Sequence, residues 1–286
     1  MHFKDIDLQL SKIVENNVAS VAKSWLDDTI DHIIQTQSTK DLYLTYSLIA
    51  TKIKKDKTVD TAVVKADLRA YIQKQNGNIQ QLARMYLLIK VLEADEVFFS
   101  PKVANIIEVA DTSELETFLK FLIWLPHADT YKMVAVEALR TNISTVFNAI
   151  AHHNPYPSKF FNDHQWNQMY LKTAFMQGDL SAILDIDQRA NKDLARIISD
   201  YAHERWAAGR DIDPNFWRPV TKFLDGVLLE DMKRLLKSEN GIENKAGALC
   251  CYYSENQEAK KLLNEHQNLM QQIEITALSW QNIKEE

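Results

Sequence analysis

Along most of the chain, apolar residues recur at intervals of three and four. That spacing puts them on one face of an α-helix. They fall at Leu10, Val14, Val18, Val21 and Trp25, with Leu26, Ile30 and Ile33 on a neighbouring line. The pattern predicts one long amphipathic helix. A second is predicted near Leu42, Tyr46, Ile49 and Ile53, and a third through Val59, Val63, Val64, Leu68, Tyr71 and Ile72. Asn76-Gly77-Asn78 is a turn signal. It separates an expected N-terminal helical section, residues 1–75, from a helical domain over 79–286.

The pattern continues with a helix around Leu82 to Leu92. Ser100-Pro101 reads as an N-cap and first helical residue, and Ser113 with Glu116 as a capping box ahead of Phe118 and Phe121. Pro126 stops that helix. Met133, Val136, Leu139, Ile143, Phe147 and Ile150 predict one long helix that ends before Pro155. Another runs from Asp163 to Phe175. Asn191 is the expected cap of a helix through Leu194, Ile198, Tyr201 and Arg205 that ends at Gly209. Asp213-Pro214 starts a further one, and the tail carries segments at Val227–Leu236, Lys245–Tyr253 and Glu258–Met270. No segment alternates with period two, so the fold class is all-α. Helix pairs of ~35–45 residues with short links suggest stacked helical hairpins, a HEAT-like α-solenoid. A compact helical bundle is the competing arrangement.

Composition narrows the function. Gly and Pro number six each in 286 residues, which fits long helices better than a turn-rich sheet protein. So few Gly leave no phosphate loop, dinucleotide fingerprint or nucleophile elbow. The formal charge of -6 argues against nucleic-acid binding. The basic run Lys52-Ile53-Lys54-Lys55-Asp56-Lys57 reads as a solvated helix end. Cys250 and Cys251 are adjacent and rarely close a disulfide, which fits a reducing compartment. The N-terminal residues lack a signal-peptide pattern, and no apolar run approaches the ~18 residues of a membrane span. A cytoplasmic protein is expected, with peripheral membrane association left open.

The stretch from Asn154 to Arg218 departs from that ordinary background. It holds Trp166, Trp206 and Trp217 with Arg189, Arg196, Arg205, Arg210 and Arg218, against few Lys. Arg is favoured over Lys where a planar fork pairs with a carboxylate or stacks on a ring. Asp200, His203 and Glu204 share one helical face through i+3 and i+4 spacing. They are candidates for an acid–base set, with Arg205 and Arg210 holding an anion. The competing reading pairs these charges with Arg189, Arg140 or Arg218 as an internal network. His152, His153 and His164 with His203 match no zinc spacing, and neither a metal nor a cofactor is implied. Asp27-Asp28-Thr29-Ile30-Asp31 has the form of a diphosphate-binding acidic motif but lacks a second one to face it, so a solvated helix face is expected.

Taken in order, Leu125-Pro126-His127, Arg140-Thr141-Asn142, Asn154-Pro155-Tyr156-Pro157, Trp166-Asn167-Gln168-Met169, Leu171-Lys172, Asp187-Gln188-Arg189-Ala190-Asn191, Tyr201 to Arg210 and Trp217-Arg218 resemble the EboA family, over roughly residues 80–263. The first 75 residues add no motif to this resemblance. It departs at Leu184-Asp185-Ile186-Asp187, where the family pattern has Gly ahead of Leu-Asp. The resemblance implies a bacterial protein encoded in an ebo-type cluster. Its neighbours there are a prenyltransferase, a hydrolase and a sugar-phosphate isomerase-like protein, and the cluster is linked to making or moving a small secondary metabolite. It implies no catalytic residue. The favoured expectation is a non-catalytic binding or scaffold protein. Tyr156, Trp166, Lys172, His203, Arg205, Arg210, Trp217 and Arg218 are its candidate ligand-binding residues. The partner is a polar, phosphorylated or prenylated metabolite, a pathway enzyme, or both. The alternative is an enzyme of that pathway built on Asp200, His203 and Glu204.

Overall fold

A computed structural model describes residues 5–55 and 58–284. Among them the chain forms eighteen α-helices and four 3-10 segments, with no strand. The all-α expectation holds. The chain divides into two compact units, one running through Phe161 and the other starting at Asn162.

The first unit is built around the Ile79–Ala94 helix, which is apolar nearly all round and buries twelve of its sixteen residues. A helix without a polar face must be covered on every side. Here Ile6–Asn17, Ser20–Thr36, Thr39–Lys52, Glu96–Ala104 and Thr112–Phe121 all pack against it. Asn78 opens this helix with a capping box completed by Gln81. Of its three charged residues, Arg84, Lys90 and Glu93, the first is almost fully buried. Its guanidinium lies 3.6 Å from Glu114, donates to the Tyr46 carbonyl at 3.0 Å and faces the Tyr46 ring. The Tyr46 hydroxyl in turn donates to the Glu114 carbonyl at 2.9 Å. No sequence motif pointed to this network.

Several boundaries differ from expectation. The predicted first helix is two helices, Ile6–Asn17 and Ser20–Thr36, because the chain turns extended at Val18 and Ala19. The Val59–Ile72 helix exists only as Ala66–Lys74. Pro101 lies inside the Glu96–Ala104 helix, whose cap is Asp95 through a bond from the Phe98 amide. The capping box sits two residues ahead of Ser113–Glu116, at Asp111 and Glu114. The long helix after Met133 is broken into Lys132–Ala138 and Ser144–Ala151. Of the basic run, Lys52 ends the Thr39–Lys52 helix and Lys54 and Lys55 are exposed, while Asp56 and Lys57 lie outside the described residues, as do Met1 to Lys4. The acidic stretch on the second helix is engaged locally: Asp27 pairs with Lys23 and accepts from Tyr86, and Asp28 accepts from Ser24.

The second unit begins with Asp163–Phe175, as predicted, and continues through Lys192–Ala207, Gly226–Leu236, Gly241–Tyr253, Gln257–Asn264 and Gln267–Glu274. The predicted Asp213-Pro214 helix is a ten-residue 3-10 run, Pro214–Phe223. It packs on Lys192–Ala207 and Gly241–Tyr253. Gly247 lets Gly241–Tyr253 approach Gly226–Leu236 closely: a Cβ there would stand 2.9 Å from the Leu235 Cβ. Asn244 closes the C-terminus of Gly226–Leu236, where four carbonyls lack helical partners. Its amide donates to the carbonyls of Leu235, Leu236 and Ser238.

Candidate functional site

The Arg- and Trp-rich stretch is divided between the units, and much of it is structural. Asn154 caps the Pro155–Phe160 helix and donates to the carbonyls of Leu119 and Ala149, both at 2.9 Å. Tyr156 is fully buried in the first unit, with its hydroxyl donated to the Ala128 carbonyl at 2.7 Å. Burial pushes its phenol well above the usual range. In the second unit Asn167 and Asn191 exchange amide hydrogen bonds at 2.9 and 3.1 Å, while Asn191 also caps the Lys192–Ala207 helix. Trp166 is buried with the Arg189 guanidinium 5.1 Å over its ring, and Arg189 reaches Asp163 at 3.3 Å. Trp217 is buried and stacks on Trp206 at 5.5 Å, and Arg234 covers the Trp206 ring at 4.2 Å. Tyr156, Trp166 and Trp217 are thus interior side chains and not parts of an exposed rim.

The acid–base candidates do not assemble. Asp200 pairs with Arg196 at the surface, at 3.0 Å, and Glu204 is exposed. His203 turns instead to Asp231, on the Gly226–Leu236 helix, with Nε2 to Oδ1 at 2.6 Å. The other carboxylate oxygen accepts the Ser199 hydroxyl at 2.6 Å. Asp231 is buried. The order is Ser–Asp–His, with the acid in the middle, so the imidazole does not face the hydroxyl as a general base would. The expected network partners also differ: Arg140 pairs with Glu137, Arg189 with Asp163 and Arg218 with Asp187. Among the described residues no group of three His, Cys, Asp or Glu side chains is placed to hold a metal.

What the structure does gather is a cavity at the C-terminal end of the Lys192–Ala207 helix. The helix stops in a Schellman turn: the Arg210 amide donates to the Arg205 carbonyl at 2.9 Å, the Gly209 amide to the Trp206 carbonyl at 3.0 Å, and Gly209 takes a φ of 63°. This turn brings Arg205 and Arg210 to the rim of a cavity of about 580 Å³. Its aromatic lining is Phe175, Tyr201 and Phe216, with Tyr201 edge-on to both neighbours at 5.1 Å. Arg205 donates Nε and Nη2 to the Asp211 carbonyl, and Lys284 is paired with Asp213 at 2.7 Å. Arg210 is exposed and makes no ion pair with the described residues.

The remaining candidates lie elsewhere in the second unit. Lys172 sits on the Asp163–Phe175 helix, where partial burial lowers its pKa from the ordinary 10.5. Arg218 forms a two-pronged pair with Asp187, Nε to Oδ1 at 2.8 Å and Nη2 to Oδ2 at 2.6 Å, beside a separate cavity of about 400 Å³. Asp231 was missed by sequence reasoning. Its signal was a carboxylate set among Leu228, Met232 and Leu235 on the apolar face of its helix.

No helix among the described residues is long and apolar enough to cross a membrane. No curated protein and no solved structure matches the chain. The profile of the family described as metabolite traffic protein EboA matches residues 6–221, reaching into the N-terminal residues that carried no motif and ending inside the Pro214–Phe223 run. With most of its 286 residues covered and the motif-bearing Asn154–Arg218 stretch wholly inside the match, the chain belongs to the EboA family.

Proposed function

We propose that this protein is a non-catalytic carrier in metabolite traffic, and that the cavity beneath Arg205 and Arg210 holds its cargo. The observation that supports this most is Arg210. It is an exposed guanidinium on the rim of an aromatic-lined cavity, with no carboxylate among the described residues taking its charge. The cavity volume lies within the ~300–1,000 Å³ range of small-molecule sites. Its cations, Arg205, Arg210 and Lys284, outnumber Asp211 and Asp213. The cargo that suits it is a small anion, a phosphorylated or carboxylated metabolite, whose apolar portion lies on Phe175 and Tyr201. A prenylated body fits the same lining. Handing such a molecule to or from enzymes of one gene cluster is the scaffold role this reading assigns. The enzyme alternative gains no support from His203, because its acid partner, Asp231, holds two helices together.

The test is native mass spectrometry of the protein purified gently from its natural host, alongside Arg210→Glu. A bound small anion that is present in the parent protein and lost in Arg210→Glu is the expected result. A parent protein that carries nothing, and binds neither extracted metabolites nor pathway enzymes, would overturn the proposal.

A further inference from the structure

The second unit holds another cavity, of about 400 Å³, that the metabolite reading above does not use. Its polar wall is the Asp187–Arg218 pair. Both prongs of this pair are in place, so the wall presents a fixed acceptor edge beside a fixed donor edge. Lys222 holds the same corner by donating to the Asp187 carbonyl at 2.5 Å. The two charges of the pair cancel, and Arg218 is the better covered of the two, with side-chain exposures of 18% for Arg218 and 49% for Asp187. The Asp187 carboxylate is therefore the half of the pair that a ligand meets. Tyr253, half exposed and edge-on to Tyr252, and Trp280, nearly buried, supply the aromatic lining. Gln281 adds an amide that both donates and accepts.

An anion would meet the more exposed Asp187 carboxylate and be repelled by it, and a purely apolar ligand would strand that carboxylate. The group that suits adjacent donor and acceptor edges is the hydroxyl, which does both at once. Two neighbouring hydroxyls on a ring match the pair, and the ring's C–H face matches Tyr253 and Trp280. We infer that this cavity is a second ligand site for a ring compound bearing a vicinal diol, with Asp187 accepting from the hydroxyls, Arg218 and Lys222 donating to them, and Tyr253 covering the ring. It stands independently of the anion site. A vicinal diol can come from a free sugar or from the ribose of a nucleoside, and the cavity volume admits either.

Saturation-transfer NMR and calorimetry on the full chain distinguish these sources, with methyl α-glucopyranoside and adenosine as probes and 2′,3′-dideoxyadenosine as the diol-free control. The expected result is saturable binding of one of the two diol probes, weakened tenfold or more by Asp187→Asn and by Tyr253→Ala. Tyr253 is exposed, so its variant reads binding even if Asp187→Asn loosens the fold around Arg218. Binding of glucoside alone assigns a sugar, and binding of adenosine alone a nucleoside. Failure of both probes at millimolar concentration, equal binding of the dideoxy control, or binding undiminished in Tyr253→Ala would each overturn the inference.

Discussion

Asp231 offers the sharpest test of how the second unit is held together. It is 3% exposed and accepts two hydrogen bonds, from Ser199 and His203, each at 2.6 Å. Hydrogen bonds to a charged group contribute about 1.5–3 kcal/mol each. His203→Ala removes one of them. The imidazole is 51% exposed, so water enters behind it and the lower figure applies, about 1.5 kcal/mol. Asp231→Ala removes both bonds and strands the buried Ser199 hydroxyl, which brings the loss to about 3–4 kcal/mol. Glu204→Ala alters an exposed side chain with no hydrogen bond in the structure, and stays within about 0.5 kcal/mol. For a unit of this size a loss of one kcal/mol lowers the melting temperature by roughly 3–6 °C. Thermal unfolding followed by circular dichroism should therefore show drops of about 5–9 °C for His203→Ala and under about 3 °C for Glu204→Ala, with Asp231→Ala the least stable of the three. Equal melting temperatures for His203→Ala and Glu204→Ala, or an Asp231→Ala protein more stable than His203→Ala, would refute the reasoning.

Three further outcomes follow from other parts of the fold. Arg84→Met leaves Glu114 buried without its cation and should cost about 3–5 kcal/mol in urea unfolding, with much of the loss recovered when Glu114→Gln is added. Gly247→Ala forces a methyl to within 2.9 Å of the Leu235 Cβ and 3.4 Å of the Leu236 amide nitrogen. Overpacking outweighs the helix propensity gained, so chemical denaturation should show a net loss of about 1–2 kcal/mol. Burial pushes the Cys251 thiol up to about 12 and raises Cys250 well above the ordinary thiol range, so a thiol-specific reagent at mildly alkaline pH should modify neither in the native protein and both in denaturing guanidinium.

The sequence exposed what local physics controls. Asn191 and Gly209 bound their helix as expected because an Asx cap and a left-handed Gly each act within a few residues. The break at Val18 and Ala19 was hidden, because neither residue is a helix breaker and the apolar spacing continues across them. At that point Asn17 exchanges hydrogen bonds with the backbone of Asp60, a partner distant in sequence. Charge pairing was the least legible. Helical spacing put Asp200, His203 and Glu204 on one face, but it carries no information about which helix faces them. Asp231, Asp187 and Asp163 turned out to be the partners that matter for His203, Arg218 and Arg189. The cavity under Arg205 and Arg210 was legible in part: both Arg residues were candidates, whereas Phe175 and Lys284 reach it only through the fold.

The Pro214–Phe223 run sets a length scale. Ten residues of 3-10 helix rise about 2.0 Å each and span roughly 20 Å, where an α-helix of the same residues would span about 15 Å. Pro219 bars the conversion, since in an α-helix its ring would clash with the Asn215 carbonyl. Pro214 and Phe216 line the cavity of about 580 Å³, while Arg218, Pro219 and Lys222 line that of about 400 Å³. The run is therefore a wall shared by two cavities, and its stretched pitch fixes how far apart their lining residues stand.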